Sequence, residues 1–195
     1  MKTIGLIPGG FKPYTAGHHS LVELAAKECD EVHLFVSTKD RVRPGEVPIY
    51  GKDMLKIWQN YLEPVLPSNV VVSYVSVPVS AVYDDLKGTE EVGEDVSFKI
   101  YSDEEDILKY KDESLRRVAP KLFKKGRIKR RGVSRQETVP VSGTMMRGLI
   151  ASGDVEKFIS LLPQGAQKNG KKIYSILKKA IKEEVLREYV RTVLG

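Results

Sequence analysis

The 195-residue chain has room for one α/β domain with an appendage rather than two full domains, and 41% hydrophobic residues are ample for a buried core. No apolar stretch approaches the roughly 20 residues that span a bilayer, and the first residues lack the charged-then-apolar layout of a secretory leader, so a cytoplasmic protein with no membrane partner is expected. The single Cys29 excludes an internal disulfide, no Cys or His cluster suggests zinc, and a net charge of +6 favours an anionic ligand, either a nucleotide or a nucleic acid.

Along the chain, Ile4 to Ile7 is a short apolar run bounded by Pro8 and Gly9, which predicts a buried strand. Leu21, Leu24 and Ala25 fall at helical spacing and predict a helix. Between them lies GGFKPYTAGHH, Gly9 to His19, a turn at the place where open α/β sheets bind ligands. Gly9 and Gly10 let the backbone come close to a bulky ligand. Helix N-terminal amides from Ala16 to His19 would face an anion, and His18 adds an imidazole. His19 is expected in packing or at the surface, and Cys29 as a small apolar residue.

Glu31 to Ser37 alternates as a strand should, with His33 an ordinary strand residue, and a polar loop punctuated by Pro44, Gly45 and Pro48 leads to a helix over Gly51 to Leu62. Met54, Ile57, Trp58 and Tyr61 share its spacing, which places Trp58 in the core. A β-branched strand follows at Val70 to Val77. The acidic run from Asp84 to Asp95 reads as an exposed loop, Val96 to Tyr101 as a strand, and Glu113 to Ala119 as a helix.

Lys121 to Arg135 carries eight Lys or Arg and no acid, a solvated basic face or a phosphate or RNA contact. The fifth strand is placed at Gly132 to Val139. Ser142 is a natural N-cap for a helix with Met145, Met146, Leu149 and Ile150, and Gly153–Asp154 divides it from another that Pro163 stops. A polar linker, Gln164 to Gly170, precedes a long helical pattern, Lys171 to Leu194. Its apolar stripe suits docking on the chain's own sheet or pairing in a homo-oligomer.

The turn resembles the G-x-F-x-P-x-[HT]-x-G-H signature of the nucleotidylyltransferase superfamily, and Val141 to Arg147, VSGTMMR, resembles its I-S-x-T-x-x-R, which opens a helix over the triphosphate. The resemblance covers Met1 to Pro163. It implies a Rossmann-like open parallel sheet of about five strands with C-terminal helices, divided as a nucleotidylyltransferase domain over 1–163 and a helical extension over 164–195.

The implied reaction moves a nucleoside monophosphate, AMP from ATP in the leading reading, onto a phosphate-bearing small molecule such as nicotinamide mononucleotide or phosphopantetheine, with release of pyrophosphate. Mg2+ is expected with the triphosphate; no metal-binding residues are assigned. The resemblance assigns catalysis to His18, Thr15 and Lys12, with Thr15 positioning the attacking phosphate. Nucleotide binding falls to Gly9, Gly10, Phe11, Gly17, His18, Ser142, Gly143, Thr144 and Arg147. Lys39, Arg41 and Arg43 stand where relatives meet the acceptor's phosphate, a solvated basic loop being the alternative. Ser102 replaces the usual Gly after the fourth strand, so Asp103 is given no role. A cytidylyltransferase, or a non-catalytic nucleotide- or RNA-binding protein on the same fold, stands beside this reading.

Overall fold

The computed structural model describes residues 1–93, 95–134, 136–179 and 181. Its elements are β1 (Lys2–Gly9), α1 (Ala16–Glu28), β2 (Glu31–Ser37), α2 (Gly51–Ile57), β3 (Val70–Val75), α3 (Pro78–Val92), β4 (Val96–Asp103), α4 (Asp112–Val118), α5 (Pro120–Lys124), β5 (Ile128–Val133), α6 (Gly143–Ser152) and α7 (Val155–Ser160). They divide into two compact units, the first made of Met1–Gly10, Gly17–Ser37 and Leu66–Pro140, the second of Phe11–Ala16, Thr38–Val65 and the described residues from Val141 on.

The first unit is a Rossmann-like sheet of five parallel strands in the order β3-β2-β1-β4-β5. β1 is central, and Ile4 to Ile7 are buried on both faces, as a parallel strand between helical layers requires. Strand order reverses at β1, which pairs with β2 on one side and β4 on the other, so the ligand crevice of an open sheet falls at its carboxyl end. One face packs Ile4, Leu6, Phe98 and Ile100 against Val82 and Leu86 of α3 and Leu115 of α4. On the other, Cys29 is buried with its Sγ 3.4 Å from the Tyr101 hydroxyl.

Two expectations are corrected in this unit. The acidic segment is a helix, α3, because Pro78 starts it, Val82 and Leu86 give it a buried stripe one turn apart, and Gly93 ends it at φ 77°. The fifth strand lies earlier than expected, inside the basic stretch. It is an edge strand, where charged side chains are tolerated, and Arg127 and Arg130 are paired with Asp95 and Asp112 at 2.7 and 2.6 Å while Arg131 pairs with Glu137.

The second unit is held by aromatic packing. Trp58 is fully buried at the start of a π-helical turn, Trp58–Leu62, that continues α2, and its ring lies 4.6 Å from Tyr14 and 6.0 Å from Phe11. The segment expected as a polar linker is a 3-10 helix, Gln164–Asn169, because Ala166 is buried and Gly165 passes Val65 closely. Residues 170–179 are helical and bury Ile173, Tyr174 and Leu177. The remainder of the pattern expected to reach Leu194 lies outside the described residues, apart from Ile181.

Candidate active site

In the sheet unit, β1 delivers Gly9 and Gly10 to its carboxyl end. A Cβ built on Gly10 meets nothing within 4 Å, so the backbone there is open. Gly17 and His18 occupy the first turn of α1. His18 is half-buried, and burial pushes its imidazole down to about 4. It is therefore neutral at pH 7 and carries a single N–H donor.

The rest of the first motif, Phe11 to Thr15, belongs to the second unit, where it meets the second motif. Phe11 has φ 48°, an uncommon conformation for a bulky residue, and the aromatic contacts with Tyr14 and Trp58 hold it there. Ser142 caps α6 by accepting from Met145 N at 3.1 Å, which uses an oxygen lone pair and leaves its O–H to donate. Ser142 and Thr144 are both exposed. Arg147, 5% exposed, donates from Nη1 to the Lys12 carbonyl and from Nη2 to Thr144 Oγ1, each at 2.9 Å. A Cβ at Gly143 would stand 3.1 Å from that Nη1 and 3.4 Å from the carbonyl. A side chain there would make the Arg147 guanidinium give way by a few tenths of an ångström. Thr15, fully buried, gives its one hydroxyl proton to the Val141 carbonyl at 3.3 Å, so here it ties the two motifs together.

Lys12 is 7% exposed, and its ammonium is lowered to about 8 by burial, against the opposing field of Asp40 and with a smaller contribution from Arg41. Asp40 also accepts from Gly51 N at 2.7 Å, at the start of α2. The loop that carries it is not open-ended. Arg41 and Ile49 exchange backbone hydrogen bonds of 2.8 and 2.9 Å, and Arg43–Glu46 closes as a type II turn with Pro44 first and Gly45 at φ 75°.

This turn presents Glu46. Its carboxylate accepts from Arg41 Nε at 3.1 Å and lies 2.9 Å from Arg41 Nη2. It also forms an ion pair with Arg147, 3.0 Å from Nε but outside hydrogen-bond alignment. Two arginines that the resemblance gives to different substrates thus share one carboxylate. Lys39 and Arg43 are exposed on the same loop. Sequence reading missed Glu46 and Asp40; the Arg-Pro-Gly-Glu turn was the available signal for the former. The basic stretch contributes structural ion pairs through Arg127, Arg130 and Arg131.

The family model for the citrate lyase ligase C-terminal domain matches residues 9–49, the first motif through the Glu46 loop. In three dimensions the chain is similar to a bifunctional NMN adenylyltransferase/ADP ribose pyrophosphatase from Francisella tularensis, with TM-score 0.59 and 16% identity over 100% of this chain and 57% of that one. It is also similar to nicotinic acid mononucleotide adenylyltransferase from Plasmodium falciparum, with TM-score 0.53 and 13% identity over 96% of this chain and 98% of that one. The chain has the nucleotidylyltransferase fold. No curated protein matches the chain in sequence. No helix among the described residues is long and apolar enough to cross a membrane.

Proposed function

We propose that the protein transfers AMP from ATP to a phosphate-bearing small molecule and releases pyrophosphate. The observation that carries this reading is the Arg147–Lys12 hydrogen bond of 2.9 Å, which ties the Phe11–Thr15 part of the first motif to the second motif within one unit. The names of the similar structures, adenylyltransferases acting on pyridine mononucleotides, favour ATP as donor and a mononucleotide as acceptor over phosphopantetheine.

An oxygen of the acceptor's phosphate forms the new bond to the α-phosphorus, and the bond from that phosphorus to the bridging oxygen breaks with its electron pair on pyrophosphate. The nucleophile is already an anion, so no general base is needed and the work is alignment and charge stabilisation. His18, neutral, donates its one N–H to the α-phosphate or the departing oxygen. The exposed Ser142 and Thr144 at the start of α6 meet the β- and γ-phosphates, Arg147 supplies fixed charge beside them, and Lys12 brings an ammonium from the turn. Lys39, Arg41 and Arg43 serve the acceptor's phosphate. Mg2+ enters as part of the triphosphate substrate; among the described residues no group of three or more His, Cys, Asp or Glu is arranged to hold a metal ion.

Pyrophosphate release measured with ATP or CTP against nicotinamide mononucleotide, nicotinate mononucleotide and phosphopantetheine tests the reading. Turnover is expected with ATP and a pyridine mononucleotide. Turnover with CTP alone would make the chain a cytidylyltransferase, and no pyrophosphate with any pair would overturn the enzymatic reading.

A further inference from the structure

Glu46 stands among three guanidiniums. It pairs directly with Arg41 and Arg147, and the charge of Arg43 also reaches it. Burial raises its carboxyl, but the Arg41 hydrogen bond and the fields of Arg147, Arg41 and Arg43 outweigh that and hold it below the usual range, so it is an anion throughout the neutral range. One negative charge against three positive ones is an unbalanced cluster. The surplus is felt at Arg147, whose guanidinium is destabilised by burial and by Arg41 and Arg43 against the opposing pull of Glu46. A group carrying two or more negative charges would balance the three cations better than a carboxylate does.

We propose that Glu46 is an internal anion that occupies the place of a substrate phosphate between Arg41, Arg43 and Arg147, and so sets the affinity of that subsite. The inference rests on the adenylyltransferase reading for the identity of the ligand, but the subsite is one of charge and geometry. Glu46 is half-buried at the end of a short turn whose residues 43–45 are exposed and which is closed by one backbone bond of 3.1 Å, so the carboxylate can swing away without breaking the Arg41–Ile49 bridge. Substrate phosphate then competes with it for the same two forks, a competition that trades affinity against keeping Arg147 paired when the site is empty.

The experiment is calorimetric titration of inorganic pyrophosphate into the full chain and its Glu46→Gln variant, which keeps shape and removes charge. Binding about tenfold tighter in the variant is the expected result, with KM lowered both for ATP, whose phosphates Arg147 meets, and for the acceptor, whose phosphate Arg41 and Arg43 meet. Unchanged or weaker binding would overturn the proposal, weaker binding meaning that Glu46 holds the arginines in place for the ligand. Glu46→Asp, which keeps the charge but is too short to span Arg41 and Arg147 together, is run alongside and covers the case of a Gln variant that does not fold; it is expected to bind pyrophosphate three- to tenfold more tightly than the parent, and weaker or equal binding again counts against. The two readings fail separately. Tighter pyrophosphate binding without turnover on any acceptor leaves the subsite and removes the enzyme; turnover with pyrophosphate affinity unmoved by Glu46→Gln leaves the enzyme and removes the subsite.

Discussion

Arg147 of α6 reaches the backbone carbonyl of Lys12, 135 positions earlier, with a hydrogen bond of 2.9 Å. The Lys12 carbonyl thereby accepts from a cation, and the turn is held at a set distance from the start of α6. Gly143, where a Cβ would stand 3.1 Å from Arg147 Nη1, and Thr15, bonded to Val141, belong to the same junction.

Arg147→Lys should therefore damage stability and binding together. One ammonium cannot reach Lys12 O, Thr144 Oγ1 and Glu46 at once, so at least one charge-assisted hydrogen bond is lost, at about 1.5–3 kcal/mol. Urea unfolding should show that loss at pH 7, and ATP should bind more weakly. An unchanged midpoint with unchanged ATP affinity would mean that Arg147 is neither a strut nor a phosphate ligand.

His18→Ala separates chemistry from stability. Removing the N–H donor should lower kcat roughly a hundredfold. The imidazole, at about 4 in the folded chain, lies below its unfolded value, so the unfolded chain binds more protons between those limits and stability falls as pH drops. Between pH 7 and 5 His18 should cost about 2 kcal/mol, taking an unfolded value near 6.5. The variant should lose that slope in urea unfolding at the two pH values. Parallel slopes in parent and variant would show that His18 protonates as freely as an exposed histidine.

Lys12 has an ammonium near 8, so its charge is present below that pH and lost above it. kcat/KM, which reports the free enzyme, should fall as pH rises through about 8. Lys12→Arg keeps the charge and should carry the rate flat to higher pH, at whatever height the bulkier guanidinium allows. If the alkaline limb stays in the variant, another group produces it.

Two glycines should respond in opposite ways. At Gly51 a Cβ would lie 1.7 Å from the Thr38 carbonyl oxygen, so Gly51→Ala forces backbone apart at the start of α2 and should cost about 2 kcal/mol or more. Gly10→Ala meets nothing within 4 Å and needs no positive φ, so its unfolding free energy should stay within about 0.5 kcal/mol of the parent's. Its KM for ATP should nevertheless rise, because the methyl enters the space where the ligand would approach. A parental KM would place the ligand away from this backbone.

The strand, turn and first helix were legible in the sequence because each rests on neighbouring residues: a buried apolar run, glycines and helical spacing in sequence. Ser142 was legible for the same reason, since an N-cap reaches only three residues ahead to Met145. The α3 helix carried its own signals in Pro78 and Gly93, but its acidic surface outweighed them in reading, although a helix needs only a narrow apolar stripe. The β5 register was not legible, because charged residues are compatible with an edge strand once Asp95, Asp112 and Glu137 from other segments pair with them. His33 read as an ordinary strand residue, yet it bridges Glu31 and Asp85 at 2.6 and 2.5 Å.

The sequence by itself determined the types of residue at the site and the two segments that bring them, since glycine-rich turns and helix caps are local. Tertiary structure decided what those residues touch. Nothing local distinguishes Glu46 from any loop glutamate, and its pairing with Arg147 depends on chain segments about a hundred residues apart being brought together. The neutral His18 and the lowered Lys12 follow from burial, and burial is a property of everything packed around a group, which no stretch of neighbouring residues contains.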